Sequence, residues 1–469
     1  MKIVIFGTGK FYHNRKEEIP SDIEIVAFLD NNETLHGQYM DGCPIVSPRE
    51  AKELCYDKII IMSASEEAMK SQLLSLGIDS QSIWYWGRFV SEYGRNVLNV
   101  YYAQNNIIKP EKRILIITTY LDYVGGTIVA LYAAKALQSR HNSVFLAAPG
   151  GNKKFIDEIL EEGINVIISP SLPFIHKRGL FWIQQFDAVI VNVFQMVLCA
   201  CEISRIKPVL WWIHEPGVLY EETLSQFQKY ICMEQLKKCG IYAVSNIAQR
   251  NFNTCFMDRI EKLLPYGIPD YAKSTDLKNE TDDLVFALIG AVCPRKAQDI
   301  FIKAVKLLKE EEHKNVQFWL IGYIGTDEYS NQIKALAAED GELKIMGLLT
   351  RSEIYEIYEK IDVVVCPSLE DPLPIVVTEG MMYGKTCIVS DKTGNVQYIN
   401  DKENGLICKA ADAENLCEQM RWVIQNKEKL SAIGTASRQT YEKYFSMESF
   451  GQRLDEALRD TMEQYIRGR

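Results

Sequence analysis

Two segments combine residue types at spacings that suit the handling of an anionic ligand. The first is PSLEDPLPIVVTEGMMYG, residues 367–384. A buried strand is expected to end at Pro367–Ser368. A helix is expected to begin near Pro372–Pro374, because proline is tolerated where helix amides have no partner anyway. The unpaired amides of Ile375 and Val376 would then form an anion site at the positive end of a helix dipole. Asp371 and Glu379 stand eight residues apart, which on a helix is about 12 Å along the axis with roughly 80° of rotation. That separation suits a ligand with hydroxyls at both ends and a diphosphate between. A helix N-cap at Asp371 and a solvated Glu379 would produce the same spacing.

The second segment is IGAVCPRKAQDIFIKAVKLL, residues 289–308. A strand should end at Gly290, and Ile300, Phe301, Ala304, Val305 and Leu308 fall on one face of a following helix. Arg295 and Lys296 sit at the turn between them. Two cations beside helix-terminal amides can neutralise a diphosphate; a solvated basic turn is the plainer alternative. His214 ends an apolar strand in WWIHEP, the place where ligands bind in parallel sheets, although a lone strand-end His is more often structural. Glu215 is either its orienting partner or a helix cap.

These segments need elements to hold them. Short β-branched runs alternate with longer helical stretches, the pattern of parallel sheets with crossover helices, and the pattern restarts twice. The first unit, 1–110, has strands KIVIF (2–6), IEIVAFL (23–29), KIIIMS (58–63) and SIWYW (82–86), with helices near 48–55 and 66–76. It carries Gly7-Thr8-Gly9 and, after its second strand, Asp30. A dinucleotide fingerprint wants a third glycine where His13 stands, so a degenerate or partner-binding domain is favoured over an active NAD site. Polar Arg95–Lys112 reads as a linker.

The second unit, 111–275, has strands beginning at RILIITTY (113), SVFLAAP (143), INVIISP (164), DAVIVNV (187), PVLWWIH (208) and IYAVS (241). The third, 276–469, has LVFALIG (284), VQFWLIG (316), LKIMG (343), DVVVCPS (362), KTCIVS (385) and GLICKA (405), then a helical tail. Polar Lys273–Asp283 separates them. Two consecutive doubly wound units leave a cleft between the carboxyl ends of their strands.

Composition excludes several classes. Over 469 residues, 47% are hydrophobic and 24% charged, and the net charge is −10. That balance is globular rather than disordered, and the acidity disfavours nucleic acid as a partner. The most apolar stretch, Ala188–Cys201, is too short to span a bilayer and carries Asn192 and Gln195. The twelve cysteines lack metal spacing; Cys199 and Cys201 read as small buried apolar side chains in a reducing cytoplasm. The mixed basic and aromatic FIHKRGLFWI (174–183) offers contact with a membrane-bound acceptor, which would make the chain peripheral at the inner face of the plasma membrane; a docked helix with His176, Lys177 and Arg178 solvated is favoured over it.

Taken in order, these motifs resemble the family-4 (group 1) retaining glycosyltransferases. That resemblance implies an α/β fold of GT-B architecture, two facing Rossmann-like domains, here preceded by a third small Rossmann-like domain. It covers roughly 113–469 and includes GGT (125–127), IHE (213–215), AVS (243–245), PYGIP (265–269) and NGLI (404–407). The first unit looks like the Rossmann-like domain preceding sugar acyltransferases. By the resemblance, Glu379 would hold the ribose hydroxyls of a nucleotide sugar, and Lys296 with Arg295 its diphosphate, aided by the Ile375 and Val376 amides. Asp371 would contact the transferred sugar, Gly347–Thr350 the base, and Gly125 and Gly126 the phosphates. His214 would lie near the reacting sugar and the acceptor. Two departures stand out: Ala291 where Arg is frequent, and Ala297 where Gly is usual.

The implied reaction moves a sugar from a nucleotide diphosphate, a UDP-sugar by family habit, to a hydroxyl of a polysaccharide or glycolipid acceptor with retention. The leaving phosphate takes the acceptor proton. No cofactor or metal is expected, and no Asp-x-Asp occurs. A non-catalytic GT-B partner subunit and a nucleotide-sugar epimerase or NAD-linked enzyme are the alternatives. Sugar, base, acceptor and oligomeric state stay open.

Overall fold

The computed structural model describes residues 1–468 apart from 64, 95, 96, 105–108, 176, 258, 261, 273–282, 310–314 and 339–342. Residues 273–282 of the expected interdomain stretch lie outside it, as do His176 and the side chains of Lys177 and Arg178.

Three sheets follow one another along the chain. The first contains β1 (Lys2–Phe6), β2 (Glu24–Leu29), β3 (Tyr39–Met40), β4 (Cys43–Val46), β5 (Lys58–Ile61) and β6 (Ile83–Tyr85), in the spatial order β3-β4-β2-β1-β5-β6. The second contains β7 (Asn99–Tyr101), β8 (Arg113–Ile117), β9 (Ser143–Ala148), β10 (Asn165–Ile168), β11 (Ala188–Asn192), β12 (Val209–Ile213), β13 (Gly240–Ala243) and β14 (Lys262–Leu263). Their order is β14-β13-β12-β11-β8-β9-β10-β7. The third contains β15 (Leu284–Ile289), β16 (Val316–Ile321), β17 (Leu343–Gly347), β18 (Val363–Cys366), β19 (Thr386–Ser390) and β20 (Leu406–Cys408), ordered β17-β16-β15-β18-β19-β20. Strands such as VLWWI and LVFALI are buried along their whole length, because helices cover both faces of a parallel sheet.

Several local expectations need correction. Residues 48–53 form a 3₁₀ turn, not an α-helix, closed by a capping box between Ser47 and Glu50. Within the expected linker, β7 pairs antiparallel with β10 and extends the second sheet. The helix expected near Pro372–Pro374 does start there, at Ile375 with Pro374 as its N-cap. The tail helix Met447–Arg467, expected to close the third unit, crosses back to the second. Its Phe450 stacks on Trp212 at 5.6 Å, and its Asp455 pairs with Arg140 at 2.7 Å.

The first unit docks on the second through a compact contact. Lys229 lies 3.1 Å from Glu66 and 3.3 Å from Glu67, over the Tyr85 ring. Phe174 packs against the core of the first unit, and a Cβ at Gly87 would come within 2.8 Å of its ring. All twelve cysteines are free thiols, and Cys199 and Cys201 are fully buried. Among the described residues no helix is long and apolar enough to cross a membrane.

One carboxylate of the first unit is buried without a hydrogen-bond partner among the described residues. Glu18 is fully enclosed, and among the described residues none donates a hydrogen bond to either of its oxygens. Burial pushes its pKa up to about 8, opposed by the charge of Arg15. The folded chain therefore keeps a proton that the unfolded chain has released by the ordinary carboxyl pKa. Stability from this group is present at low pH and is lost as pH rises toward 8. Between pH 6.5 and 8 the loss is about 1–2 kcal/mol. The thermal midpoint should fall over that interval, and Glu18→Gln should flatten the fall; an unchanged slope in the variant would place the titration elsewhere.

Candidate functional site

The third sheet runs outward from β15 in both directions, and so the chain reverses its strand order between β15 and β18. Ligands of open α/β sheets bind at such a reversal, beyond the carboxyl ends of the strands. The turn after β15 carries Arg295 and Lys296, and the loop after β18 carries Asp371. The second sheet reverses between β8 and β11, where the Gly125–Gln138 helix begins. The two reversals face each other across a crevice of about 1060 Å³.

Two helix tips meet there. A Cβ at Gly125 would lie 3.8 Å from Ile375 Cδ1. The Ile375–Met382 helix has no side-chain cap, so its first amides lack intrahelical partners. Asn192 donates to Thr118 Oγ1 (3.1 Å) and to the Gly126 carbonyl (3.0 Å), which fixes the opposite tip. Both positive helix ends are directed at the same space.

Lys296 Nζ lies 2.5 Å and Arg295 Nη1 3.0 Å from one oxygen of the buried Asp371. Burial alone would raise the Asp371 pKa, but Lys296 and then Arg295 hold it below the ordinary carboxylate range. Burial likewise opposes the Lys296 charge, and Asp371 outweighs it. Asp371 is therefore no helix cap: it is a buried carboxylate held by two cations. Arg295 also donates to the Glu370 carbonyl at 2.9 Å. Ala297 adopts φ +56°, the left-handed conformation that glycine accepts without strain.

The loop carrying Asp371 is pinned from the second unit. Glu370 accepts from the Gly217 amide (2.6 Å) and from Asn251 (2.9 Å). Tyr266 donates to the Leu373 carbonyl (2.6 Å), and Ser245 donates to that of Pro372. A Cβ at Gly394 would fall 1.7 Å from the Pro372 oxygen, so only glycine fits there.

Glu379 is buried as well, and both its oxygens are engaged. Arg351 lies 3.1 Å from one, and the Tyr358 hydroxyl donates to the other at 2.9 Å. Burial raises its pKa; Arg351 and Tyr358 act against the rise. Arg351 also donates to Tyr355 (2.7 Å) and, across the crevice, to Tyr132 of the 125–138 helix. A solvated Glu379 is thus overturned. Sequence reasoning missed Arg351, Tyr132, Tyr358 and Glu370. The signal for Arg351 was the capping box of Thr350 and Glu353, which marks a helix start immediately beside the expected base-binding segment.

His214 lines the crevice, its ring edge-on to Trp212 at 4.4 Å. Burial lowers its pKa to about 3, and its Nε2 is enclosed with no hydrogen-bond partner among the described residues. Burial thus favours the neutral imidazole. Glu215 does not orient that ring: it accepts from the backbone amides of Phe194 (2.7 Å) and His214 (2.8 Å). Burial raises the Glu215 pKa to about 7. The Phe194 contact braces Val193, whose φ of +85° is strained for a β-branched residue. The strain sits at the reversal of the second sheet, where functional sites concentrate it.

The crevice therefore gathers His214, Gly125, Gly126, Arg295, Lys296, Asp371, Ile375, Val376 and Glu379. Leu348, Leu349 and Thr350 line it too, but Gly347 does not. Gly347 instead turns the chain at φ +64° and accepts from the Gly322 amide with its carbonyl. In the first unit Asp30 is occupied, since the Thr8 hydroxyl donates to it at 2.5 Å.

Residues 272–440 match the family model of glycosyl transferases group 1, and residues 1–84 match that of the C2185-like N-terminal domain. An uncharacterized glycosyltransferase of Haemophilus influenzae is 25% identical over 338 residues, which is 68% of this chain and 92% of that protein. The N,N'-diacetylbacillosaminyl-diphospho-undecaprenol alpha-1,3-N-acetylgalactosaminyltransferase of Campylobacter jejuni is 24% identical over 212 residues, 45% of this chain. The match spans about half of that relative, 51% of its length. Among solved structures, Anabaena HepE in complex with UDP and glucose superposes with a TM-score of 0.60 at 15% identity, over 75% of this chain and 100% of its own. The fold is that of the GT-B enzymes, two facing Rossmann-like domains behind a third, smaller one.

Proposed function

We propose, from the premise that the chain is a glycosyltransferase, that it moves a sugar from a UDP-sugar to a hydroxyl of a glycan or lipid-linked acceptor with retention. The observation that carries this is the convergence of Lys296, Arg295, Asp371 and two helix tips on one crevice at the reversals of both sheets. Two cations against one carboxylate leave a net positive site for a diphosphate. As the anomeric bond breaks, negative charge grows on the leaving phosphate. Preorganised cations and amides stabilise that charge without reorganising.

Asp371 is placed to accept from hydroxyls of the transferred sugar once the phosphate draws Lys296 and Arg295 toward itself. Glu379 holds the ribose, with Arg351 and Tyr358 setting its position. His214 serves as a neutral hydrogen-bonding group beside the reacting sugar, because a pKa near 3 makes it a poor base. The acceptor proton passes to the leaving phosphate oxygen on the same face, and closure of the lobes excludes water. The UDP bound by HepE supports the choice of base, and the diphospho-undecaprenol acceptor named for the Campylobacter relative supports a lipid-linked acceptor in surface polysaccharide synthesis. No residue is assigned to a metal or cofactor.

A thermal-shift series with UDP, GDP, ADP and NAD tests this. A ligand that binds only the folded chain at one hundred times its Kd stabilises it by about 2.7 kcal/mol. UDP should raise the midpoint, and Glu379→Ala should abolish the rise. A rise with NAD alone would transfer the nucleotide site to the first unit and overturn the assignment.

A further inference from the structure

A second cavity, of about 500 Å³, lies where the first unit meets the second sheet. Arg15 reaches it from the first unit, at the end of the Lys10–Arg15 helix; Tyr101, Tyr120, Lys153 and Asp157 reach it from the second. It adjoins the crevice closely. Tyr120 lines the cavity, while Tyr123 and Gly125 of the same loop line the crevice. On the Lys153–Glu161 helix, Lys153 and Asp157 face the cavity, whereas Lys154 and Glu158 face the crevice. One loop and one helix separate the two spaces.

We propose that this junction cavity binds an acidic sugar unit of the acceptor, so that the first domain is an acceptor-recognition module. The inference rests on the glycosyltransferase reading above. Its support is chemical. Neither Arg15 nor Lys153 makes a hydrogen bond or ion pair among the described residues, and Arg15 Nε is enclosed. Two cations from two domains thus border a space that holds one carboxylate, Asp157. Burial pushes the pKa of the neighbouring Glu18 up to about 8, against the charge of Arg15, so its counter-charge weakens as the pH falls below that value. Arg15 is half-buried and Lys153 exposed; a partly desolvated guanidinium gains from a counter-charge, and a ligand acid group reaching in past Lys153 supplies it.

The remaining lining suits a saccharide. Tyr101 and Tyr120 are 43% and 52% exposed, and aromatic rings offer apolar faces to the C–H side of a pyranose. Both anchors are set in place. A Cβ at Gly150 would come within 2.8 Å of the Tyr120 ring, so the absence of a side chain there leaves room for the ring. The Arg15 guanidinium rests 4.2 Å from the centre of the Phe11 ring. Asp157, which makes no hydrogen bond or ion pair among the described residues, can accept from sugar hydroxyls. A carboxylate of a uronic acid and a phosphate ester share the required chemistry.

Calorimetric titration of the full chain tests the proposal with three probes: a glucuronate-containing disaccharide, a hexose phosphate and a neutral disaccharide. Either or both acidic probes should bind at least tenfold more tightly than the neutral one, and their order identifies the acid group. The double variant Arg15→Gln, Lys153→Gln should lose that advantage while its UDP-induced thermal shift stays unchanged, which also shows that it folds. Arg15→Lys should restore part of the affinity. Equal binding of acidic and neutral probes, or undiminished acidic binding in the double variant, overturns the proposal. A failed UDP shift in the wild-type chain would instead strike the transferase reading and leave the acidic-sugar measurement standing.

Discussion

Replacing Lys296 by Ala is expected to lower sugar transfer by about 10²- to 10³-fold while the chain stays folded. The size follows from the loss of one preorganised charge aimed at a developing oxyanion, about 2.7–4 kcal/mol of transition-state stabilisation. The fold should survive because Asp371 retains a partner: Arg295 remains 3.0 Å from the same oxygen. A buried carboxylate stripped of every partner would cost about 3–5 kcal/mol; one left with a guanidinium costs less. UDP release measured at saturating donor, with circular dichroism and a melting curve on the same sample, separates the two effects. Loss of transfer with a retained melting transition is the expected pair of results. A folded variant that transfers at the wild-type rate would remove Lys296 from the leaving-group site. The UDP-induced thermal shift should shrink in parallel, because the same ammonium holds the ground-state diphosphate.

Much of this site could be placed from sequence because strand ends and helix starts carry strong local signals. Runs such as LVFALIG are apolar at every position, as a strand covered on both faces must be. They fix where β15 and β18 end, and therefore which loops reach the crevice. Pairings between distant residues carry no local signal. Lys296 and Asp371 are 75 residues apart, and Arg351 meets Tyr132 across 219. Nothing in the local pattern says that Asp371 binds two cations rather than capping a helix. Edge elements also went unseen. The exposed strand β7 has only three residues, so it lacks the apolar run that marks a central strand. The return of the last helix to the second unit is a packing outcome, decided by Phe450 stacking on Trp212.

Arg351 carries the second large expectation, because two opposed effects meet on it. It neutralises Glu379, whose burial would otherwise favour the protonated acid, and it stands where a nucleotide ribose would lie. Arg351→Ala leaves Glu379 with Tyr358 as its one partner of the present two. The least costly response is for Glu379 to take up a proton, since an unpaired buried charge is worse than a neutral acid. A neutral acid gives up charge-assisted hydrogen bonds to ribose hydroxyls, each roughly twice the strength of a neutral one. UDP affinity near pH 7 should then fall about 10- to 100-fold, or about 1.4–2.8 kcal/mol. The sign of the pH effect follows. Removing the cation moves the Glu379 pKa further up, so the charged form appears only at higher pH and the variant should regain UDP affinity as pH rises. Arg351→Lys should hold the profile near that of the wild type. Tighter UDP binding in Arg351→Ala with an unshifted profile would show that the guanidinium merely competes with the nucleotide. Weaker binding with a shifted profile would make it the charge that keeps Glu379 ready for the ribose, and would explain why the same side chain also reaches across to Tyr132.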